Sequence, residues 1–354
     1  MFDLEKIIRP HILGLTPYSS ARDEYRGQVG VFLDANENPL GSVLPENYNR
    51  YPDPHQRMIK EKLAPIKGVS PDQIFLGNGS DEAIDLLIRA TCVPGQDSVV
   101  ILPPTYGMYE VSASINDVTL IKVPLTSNYQ VDTDKVLNKL QPSTKMIWVC
   151  SPNNPSGNLV QEAAIETLLK NFNGLVVVDE AYIDFADIPS WTQRLTEFPN
   201  LVVLQTFSKA WGLASLRLGM CFAAPEMIFI LNKIKPPYNL SGPTQALLYQ
   251  ALDNESAKDT MVQQILDERT KLVSQLRGLP TVLKVHSSDA NFLLVQFQDA
   301  TDTMKYLLDG KIIVRDRSKV LLCDDCLRIT VGTAEENDVL VSALRIFAPN
   351  NVSA

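Results

Sequence analysis

Lys209 follows the apolar run Leu201-Val202-Val203-Leu204 and sits within Phe207-Ser208-Lys209-Ala210-Trp211. A lysine just past a buried strand, among aromatic neighbours, loses hydration, which lowers its pKa and favours the neutral amine. That amine attacks carbonyl groups, the chemistry of a Schiff-base lysine. Other polar residues interrupt apolar runs in the same way. Asn154 comes after the run 146–150, inside Ser151-Pro152-Asn153-Asn154-Pro155-Ser156-Gly157, and Asp179 ends the run 175–178 with Tyr182 three residues on. A carboxylate emerging from an apolar strand needs a partner, and a protonated ring nitrogen is one. Any one of these residues alone reads as a capped turn or a solvated loop. Several polar stops at neighbouring strand ends point to a shared site.

Two further stretches supply what such a site would need. Gln73-Ile74-Phe75-Leu76 leads through Gly77-Asn78-Gly79-Ser80 into Asp81-Glu82, which opens a helix with Ile84, Leu87 and Ile88 on one face. Strand, glycines and helix N-terminus make an anion-binding geometry, because unpaired N–H groups and the positive end of the dipole meet there. It is neither GxGxxG nor a Walker loop. Tyr106, after Pro103-Pro104, is an aromatic just past a strand end, suited to covering a flat ligand.

The elements that must position these residues are short apolar runs at 98–102, 119–123, 146–150, 175–178, 201–204 and 220–223, mostly separated by helical or turn segments. Near-continuous apolarity means that both sheet faces are covered, which predicts a mostly parallel α/β sheet with its site at the strand ends. After Pro236-Pro237-Tyr238 the pattern changes. Helices are predicted at 244–252 and 260–276, and then two partly alternating runs, 291–297 and 326–331, predict strands solvated on one face. Helical stretches at 302–308 and 334–347 flank the second run. The expected organisation is an arm over 1–30 with little core of its own, a large α/β domain over 31–240 and a smaller α+β domain over 241–354. No internal repeat is visible.

The 354 residues, 45% hydrophobic and 21% charged, are those of a soluble globular protein with a large core. A formal net charge of -9 argues against nucleic-acid and anionic-membrane surfaces. With no leader-like opening and no apolar run of spanning length, a cytoplasmic enzyme is expected. Cys92, Cys150, Cys221, Cys323 and Cys326 are an odd set, so a disulfide framework is not expected. Cys323 and Cys326 have CxxC spacing without a second pair, and His11, His55 and His286 are the only histidines. No metal is expected.

Asn154, Asp179, Tyr182, Lys209 and Arg217, in this order, resemble the site of the pyridoxal-phosphate enzymes of the aspartate-aminotransferase fold. The phrases that carry the likeness are Ser-Pro-Asn-Asn-Pro-Ser-Gly, Val-Asp-Glu-Ala-Tyr and Ser-Lys-Ala-Trp-Gly-Leu-Ala-Ser-Leu-Arg. Among these enzymes the chain is most similar to the histidinol-phosphate aminotransferases. Pro17-Tyr18-Ser19-Ser20-Ala21-Arg22, Leu33-Asp34-Ala35-Asn36-Glu37-Asn38-Pro39, Arg50-Tyr51-Pro52-Asp53-Pro54, Gly77-Asn78-Gly79-Ser80-Asp81-Glu82 and Cys326-Leu327-Arg328-Ile329-Thr330-Val331-Gly332-Thr333 look like that family's phrases. Ser156 stands where threonine is common, and the Cys323–Cys326 segment is not part of the pattern.

The resemblance implies pyridoxal 5′-phosphate as cofactor, Lys209 as its covalent anchor and proton shuttle, and Asp179 on the pyridine N–H. It implies that Tyr182 and Asn154 bond the phenolic oxygen and that Tyr106 stacks on the ring. The cofactor phosphate would lie on the backbone of Ser80 and Asp81 with Ser208 and Arg217, and Tyr51 would reach it from a partner subunit in a homodimer. Arg328 is implied for the substrate anion, since a guanidinium pairs with phosphate or carboxylate alike, and Tyr18, Asn36 and Arg315 are further candidates. The expected reaction passes the amino group of L-histidinol phosphate to 2-oxoglutarate, giving imidazole-acetol phosphate and L-glutamate. The alternatives are an aromatic amino-acid aminotransferase and a decarboxylase of a phosphorylated amino acid.

Overall fold

A computed structural model describes residues 2–18 and 30–347. Its larger sheet is made of β1 (Ile74–Asn78), β2 (Ser98–Ile101), β3 (Thr119–Lys122), β4 (Thr144–Cys150), β5 (Leu175–Asp179), β6 (Leu201–Thr206) and β7 (Leu218–Phe222), in the order β1-β7-β6-β5-β4-β2-β3. All neighbours are parallel except β7, which runs antiparallel to both β1 and β6. One edge of the sheet therefore collects the C-terminal ends of β1, β2, β4, β5 and β6 and the N-terminal end of β7. Asn154, Tyr182, Lys209, Tyr106 and the Gly79 turn all follow strands that end there, and Arg217 precedes the one strand that begins there.

Alternation along the strands divides the core between two faces. Ile147, Val149, Val176, Val178, Leu201 and Val203 face one apolar cluster, and Met146, Trp148, Leu175, Val177, Val202 and Leu204 face the other. Both clusters are covered, so every residue of β5, β6 and β7 is buried, as the unbroken apolar runs require.

The smaller sheet comprises β8 (Val282–Val285), β9 (Phe292–Phe297), β10 (Arg315–Asp316) and β11 (Cys326–Thr330), antiparallel in the order β10-β11-β9-β8. The helices Glu255–Arg277, Ala300–Asp309 and Ala334–Ile346 pack on it, whereas Gly242–Ala251 places Leu248 in the first large-sheet cluster; all four lie close to the predicted positions. Two expectations need correction. In β9 only Gln296 escapes full burial, rather than one face being solvated. Leu293, Val295 and Phe297 belong to the small sheet's own core, whereas Phe292 and Leu294 join the cluster that also covers the large sheet. The start of the arm likewise has a firm anchor. Ile8 and Ile12 are buried in the second large-sheet cluster, and the Arg9 N–H donates to the Ala90 carbonyl at 2.9 Å. The arm residues 19–29 lie outside the described residues.

Candidate active site

A cavity of about 180 Å³ opens at the shared strand edge. Its walls include Ser80, Asp81, Tyr106, Asn154, Asp179, Tyr182, Ser208, Lys209 and Arg217, nine of the residues predicted from sequence, brought there from six separate strand ends. Gly79, Cys150, Ala181, Thr206 and Ala214 complete it.

Each wall residue is placed by local structure. Gly79 adopts φ +70°, and its N–H donates to the Arg217 carbonyl at 2.8 Å, which fixes the start of the helix Gly79–Thr91 against β7. Gly219 lies directly beneath, where a Cβ would collide with the backbone of Gly79 and Ser80. The first-turn N–H groups of this helix have no residue four positions back to bond within it, and Arg217 stands beside them, its guanidinium 3.9 Å from the Asp81 carboxylate. The Tyr106 hydroxyl donates to the same carboxylate at 3.1 Å. In the proline turn, Asn153 supplies the internal bonds, its amide donating to Pro104 O and Ser156 Oγ, and Asn154 is left to face the cavity. Thr206, at the end of β6, accepts from the Ser208 N–H at 3.1 Å and so sets the turn that presents Ser208 and Lys209.

Electrostatics distinguish the acid from the amine. Asp179 is 2% exposed, and among the described residues it has no ion-pair partner. Burial pushes its carboxyl up to about 6, against the pull of hydrogen bonds from the Tyr109 hydroxyl and the Ala181 N–H. Lys209 is held below its ordinary value by desolvation first and then by the charges of Arg328 and Arg217. Its ammonium is 5.8 Å from the centre of the Tyr182 ring. Although Lys209 counts as exposed, it lines the cavity, so its exposed surface is in part cavity wall. Tyr182 is buried edge-on against Phe292, and its hydroxyl accepts from the Asn154 amide at 3.4 Å. Arg328, on β11 of the small sheet, donates to the Asn154 side-chain oxygen at 2.6 Å and lies over the Phe292 ring.

Not every predicted residue meets this cavity within one chain. Arg315 is exposed on β10, opposite Arg328 in the strand register. Tyr51 and Asn36 line a second, more open cavity, where Tyr51 stacks on Tyr238 at 4.4 Å. Tyr18 is 74% exposed in a third. Residues that sequence reasoning gave no role also matter. The Glu37 carboxylate accepts from Arg50 and from the Tyr51 N–H, each at 2.6 Å, so it fixes the segment that carries Tyr51. Tyr109 reaches Asp179 from behind, and the only signal for it was an aromatic three residues after Tyr106.

Residues 23–344 match the model of the family "Aminotransferase class I and II". The chain is 55% identical to a histidinol-phosphate aminotransferase of Cytophaga hutchinsonii, over 98% of this chain and 99% of that one. It is 52% identical to that of Parabacteroides distasonis, with the same coverage. The chain belongs to the histidinol-phosphate aminotransferases. The crystal structure of the Sinorhizobium meliloti histidinol-phosphate aminotransferase, in complex with pyridoxal-5′-phosphate, shares the fold with a TM-score of 0.77 and 23% identity, over 94% of this chain and 95% of that one.

A histidinol-phosphate aminotransferase is a pyridoxal-phosphate-dependent enzyme, and the groups present here fit that cofactor. A buried acid without a cation suits a ring N–H, an amine with a lowered pKa suits an aldehyde, and a helix N-terminus beside an arginine suits a phosphate. Among the described residues no cluster of histidine, cysteine and acid could hold a metal ion, and no helix is long and apolar enough to cross a membrane. All five cysteines are buried and free. Burial pushes the Cys323 and Cys326 thiols up to about 11 and about 12, which leaves them as inert core groups.

Proposed function

We propose that the chain transfers the amino group of L-histidinol phosphate to 2-oxoglutarate, giving imidazole-acetol phosphate and L-glutamate in histidine biosynthesis. The observation that carries this reading is the meeting of Lys209, Asp179, Tyr182, Asn154 and Arg217 in one cavity, with Arg328 bonded to its wall. When bound, pyridoxal phosphate supplies the electron sink that lets a proton leave the substrate α-carbon.

The chain's own residues do the rest. Lys209 would anchor the cofactor and, once the substrate amine had displaced it, would serve as the base that moves the proton of the substrate α-carbon. Desolvation, with the charges of Arg328 and Arg217, lowers its pKa and so favours the neutral amine that accepts a proton. Asp179 holds the ring nitrogen protonated, and Tyr182 and Asn154 bond the phenolic oxygen. The N–H groups of Ser80 and Asp81, with Ser208 and Arg217, bind the cofactor phosphate, and Tyr106 covers the ring.

Arg328 binds the substrate anion, because a forked guanidinium pairs equally with the phosphate of one substrate and the carboxylate of the other. Arg315, Tyr18 and Asn36 are further candidates for the same subsite. The active form is a homodimer to which Tyr51 contributes across the interface. Val31, Leu33, Leu40, Val43 and Tyr51 are exposed around that segment, an apolar patch that suits a partner surface.

The test is spectroscopic. Purified holoenzyme is mixed with L-histidinol phosphate, phenylalanine or threonine phosphate, each alone. Conversion of the visible cofactor band to the amine form at low histidinol phosphate, and only at much higher phenylalanine, is the expected result. Preference for phenylalanine, or release of carbon dioxide from threonine phosphate, would overturn the substrate while leaving fold and cofactor in place.

A further inference from the structure

We propose that Tyr109 is a positioning residue for the reaction, its hydroxyl holding the Asp179 carboxylate ionised and aimed at the cofactor ring nitrogen. This rests on the reading of Asp179 given above. The Tyr109 hydroxyl donates to Asp179 Oδ2 at 2.5 Å, and the Ala181 N–H donates to Oδ1 at 3.1 Å. The carboxylate is thus held at both oxygens from the protein side.

Tyr109 is itself wholly buried, and its orientation is fixed. Its ring stacks on Trp148 at 4.9 Å with an interplanar angle of 14°, and meets Tyr106 edge-on at 5.6 Å. Trp148 lies on β4, and Tyr109 lies in the first turn of the helix Met108–Ile115, which follows β2. The stack therefore ties the face that bears Tyr106 to the acid at the end of β5. Tyr106 covers the cavity, and Tyr109 supports the acid on its floor.

The hydroxyl has a definite task because, among the described residues, the Asp179 carboxylate has one other hydrogen-bond donor, the Ala181 N–H, and no ion-pair partner. The titratable groups around it are Asp81, Cys150, Tyr106, Tyr109 and Tyr182, and the cations Lys209 and Arg217 line the same cavity as Asp179. Burial and Asp81 favour the protonated acid, while among the described residues the Tyr109 hydroxyl and the Ala181 N–H favour the carboxylate. A protonated Asp179 gives the ring nitrogen no negative partner. A hydrogen bond to a charged group is worth about one to two powers of ten in an equilibrium constant.

The test compares wild type, Tyr109→Phe and Asp179→Asn as full chains stripped of cofactor. Phenylalanine keeps the ring and its stack, so packing is preserved. Each protein is titrated with pyridoxal 5′-phosphate across the acid-to-neutral range, and the 15N shift of ring-labelled cofactor is read on the complexes. For Tyr109→Phe the expected result is about tenfold weaker binding at neutral pH, with the pH midpoint of binding raised by about one unit. The ring-nitrogen shift moves toward the unprotonated pyridine, and kcat falls with KM little changed. A merely structural role would weaken binding equally at every pH and leave the nitrogen shift alone, and that result overturns the proposal. If Asp179→Asn loses affinity while Tyr109→Phe keeps the wild-type midpoint and shift, Tyr109 has no such role and the reading of Asp179 stands. If Asp179→Asn also binds as wild type does, both fall.

Discussion

The strand edge around Lys209 and the stretch from Val31 to Tyr51 come from the same chain, yet they are finished to different degrees. At the edge, Asp179, Asn154 and Tyr182 are buried and held by named partners from several elements. In the stretch, Glu37 fixes Arg50 and Tyr51 from within, but Val31 is 89% and Leu33 is 87% exposed. One region is complete in a single chain, and the other carries apolar surface that a single chain leaves uncovered. We infer that the chemistry is built by the fold and that its outer wall is built by association.

The largest expected effect lies at the finished edge. Lys209→Ala should cut turnover by more than about a hundredfold, because proton transfer by a positioned base contributes that much or more. A single-turnover assay that finds more than about a hundredth of wild-type transamination would remove Lys209 from its role. Arg328→Ala should raise KM for histidinol phosphate and for glutamate together, by about ten- to a hundredfold, as expected for loss of a charge-assisted pair. If only one of the two substrates is affected, the shared anion pocket is wrong.

Matching truncations sharpen the contrast between the regions. Leu204→Ala, in the closed core, should cost about 2–5 kcal/mol of unfolding free energy. Leu33→Ala should change the stability of the dissociated chain by no more than about 0.5 kcal/mol and should instead weaken self-association in sedimentation. Equal costs in denaturant melts at low protein concentration would erase the distinction.

The pH dependence of stability belongs to the edge as well. Burial raises Asp179 from its ordinary 3.8 to about 6 and Glu180 from 4.5 to about 7, although Ser190, the Trp191 N–H and Gln205 bond the Glu180 carboxyl. The folded chain thus binds more protons than the unfolded one in this range, so the cofactor-free protein should lose stability as pH rises from about 4 to 7. For Asp179 the loss is on the order of 3 kcal/mol. Asp179→Asn and Glu180→Gln should flatten the slope, which thermal melts across that range would check.

The smallest effect is the most specific. Tyr51→Phe should weaken cofactor binding only several-fold, since one neutral hydrogen bond is worth about 1 kcal/mol. In mixed dimers of Lys209→Ala with Tyr51→Phe, the sites that keep Lys209 should bind cofactor with wild-type affinity, as the proposed contribution of Tyr51 from the other chain requires. Retention of the weakened affinity at those sites would place Tyr51 within its own subunit.

Much of the closed edge was legible because burial there takes an unmistakable form in sequence. An apolar run broken by Asp179 or Lys209 marks a strand end, and the sheet needs no further information to bring such ends together. The antiparallel course of β7 left no trace, since Leu218–Phe222 reads the same in either direction. Ile8 and Ile12 escaped because helices of four residues are too short to show a period. The second covered face of β9 was invisible because it depends on which cluster Phe292 and Leu294 meet. Tyr109 looked like ordinary core, which by packing it is, and only the direction of its hydroxyl distinguishes it.

The hydrogen-bonded series Arg328, Asn154, Tyr182 has an evolutionary consequence. Arg328, the residue proposed to select the substrate's anion, shares the partner Asn154 with Tyr182, the tyrosine proposed to face the cofactor. A lineage that exchanged Arg328 for a different side chain would disturb the reaction's electronics in the same mutation, so a new substrate preference would have to be acquired at Arg315 or in the arm, where no such tether exists among the described residues.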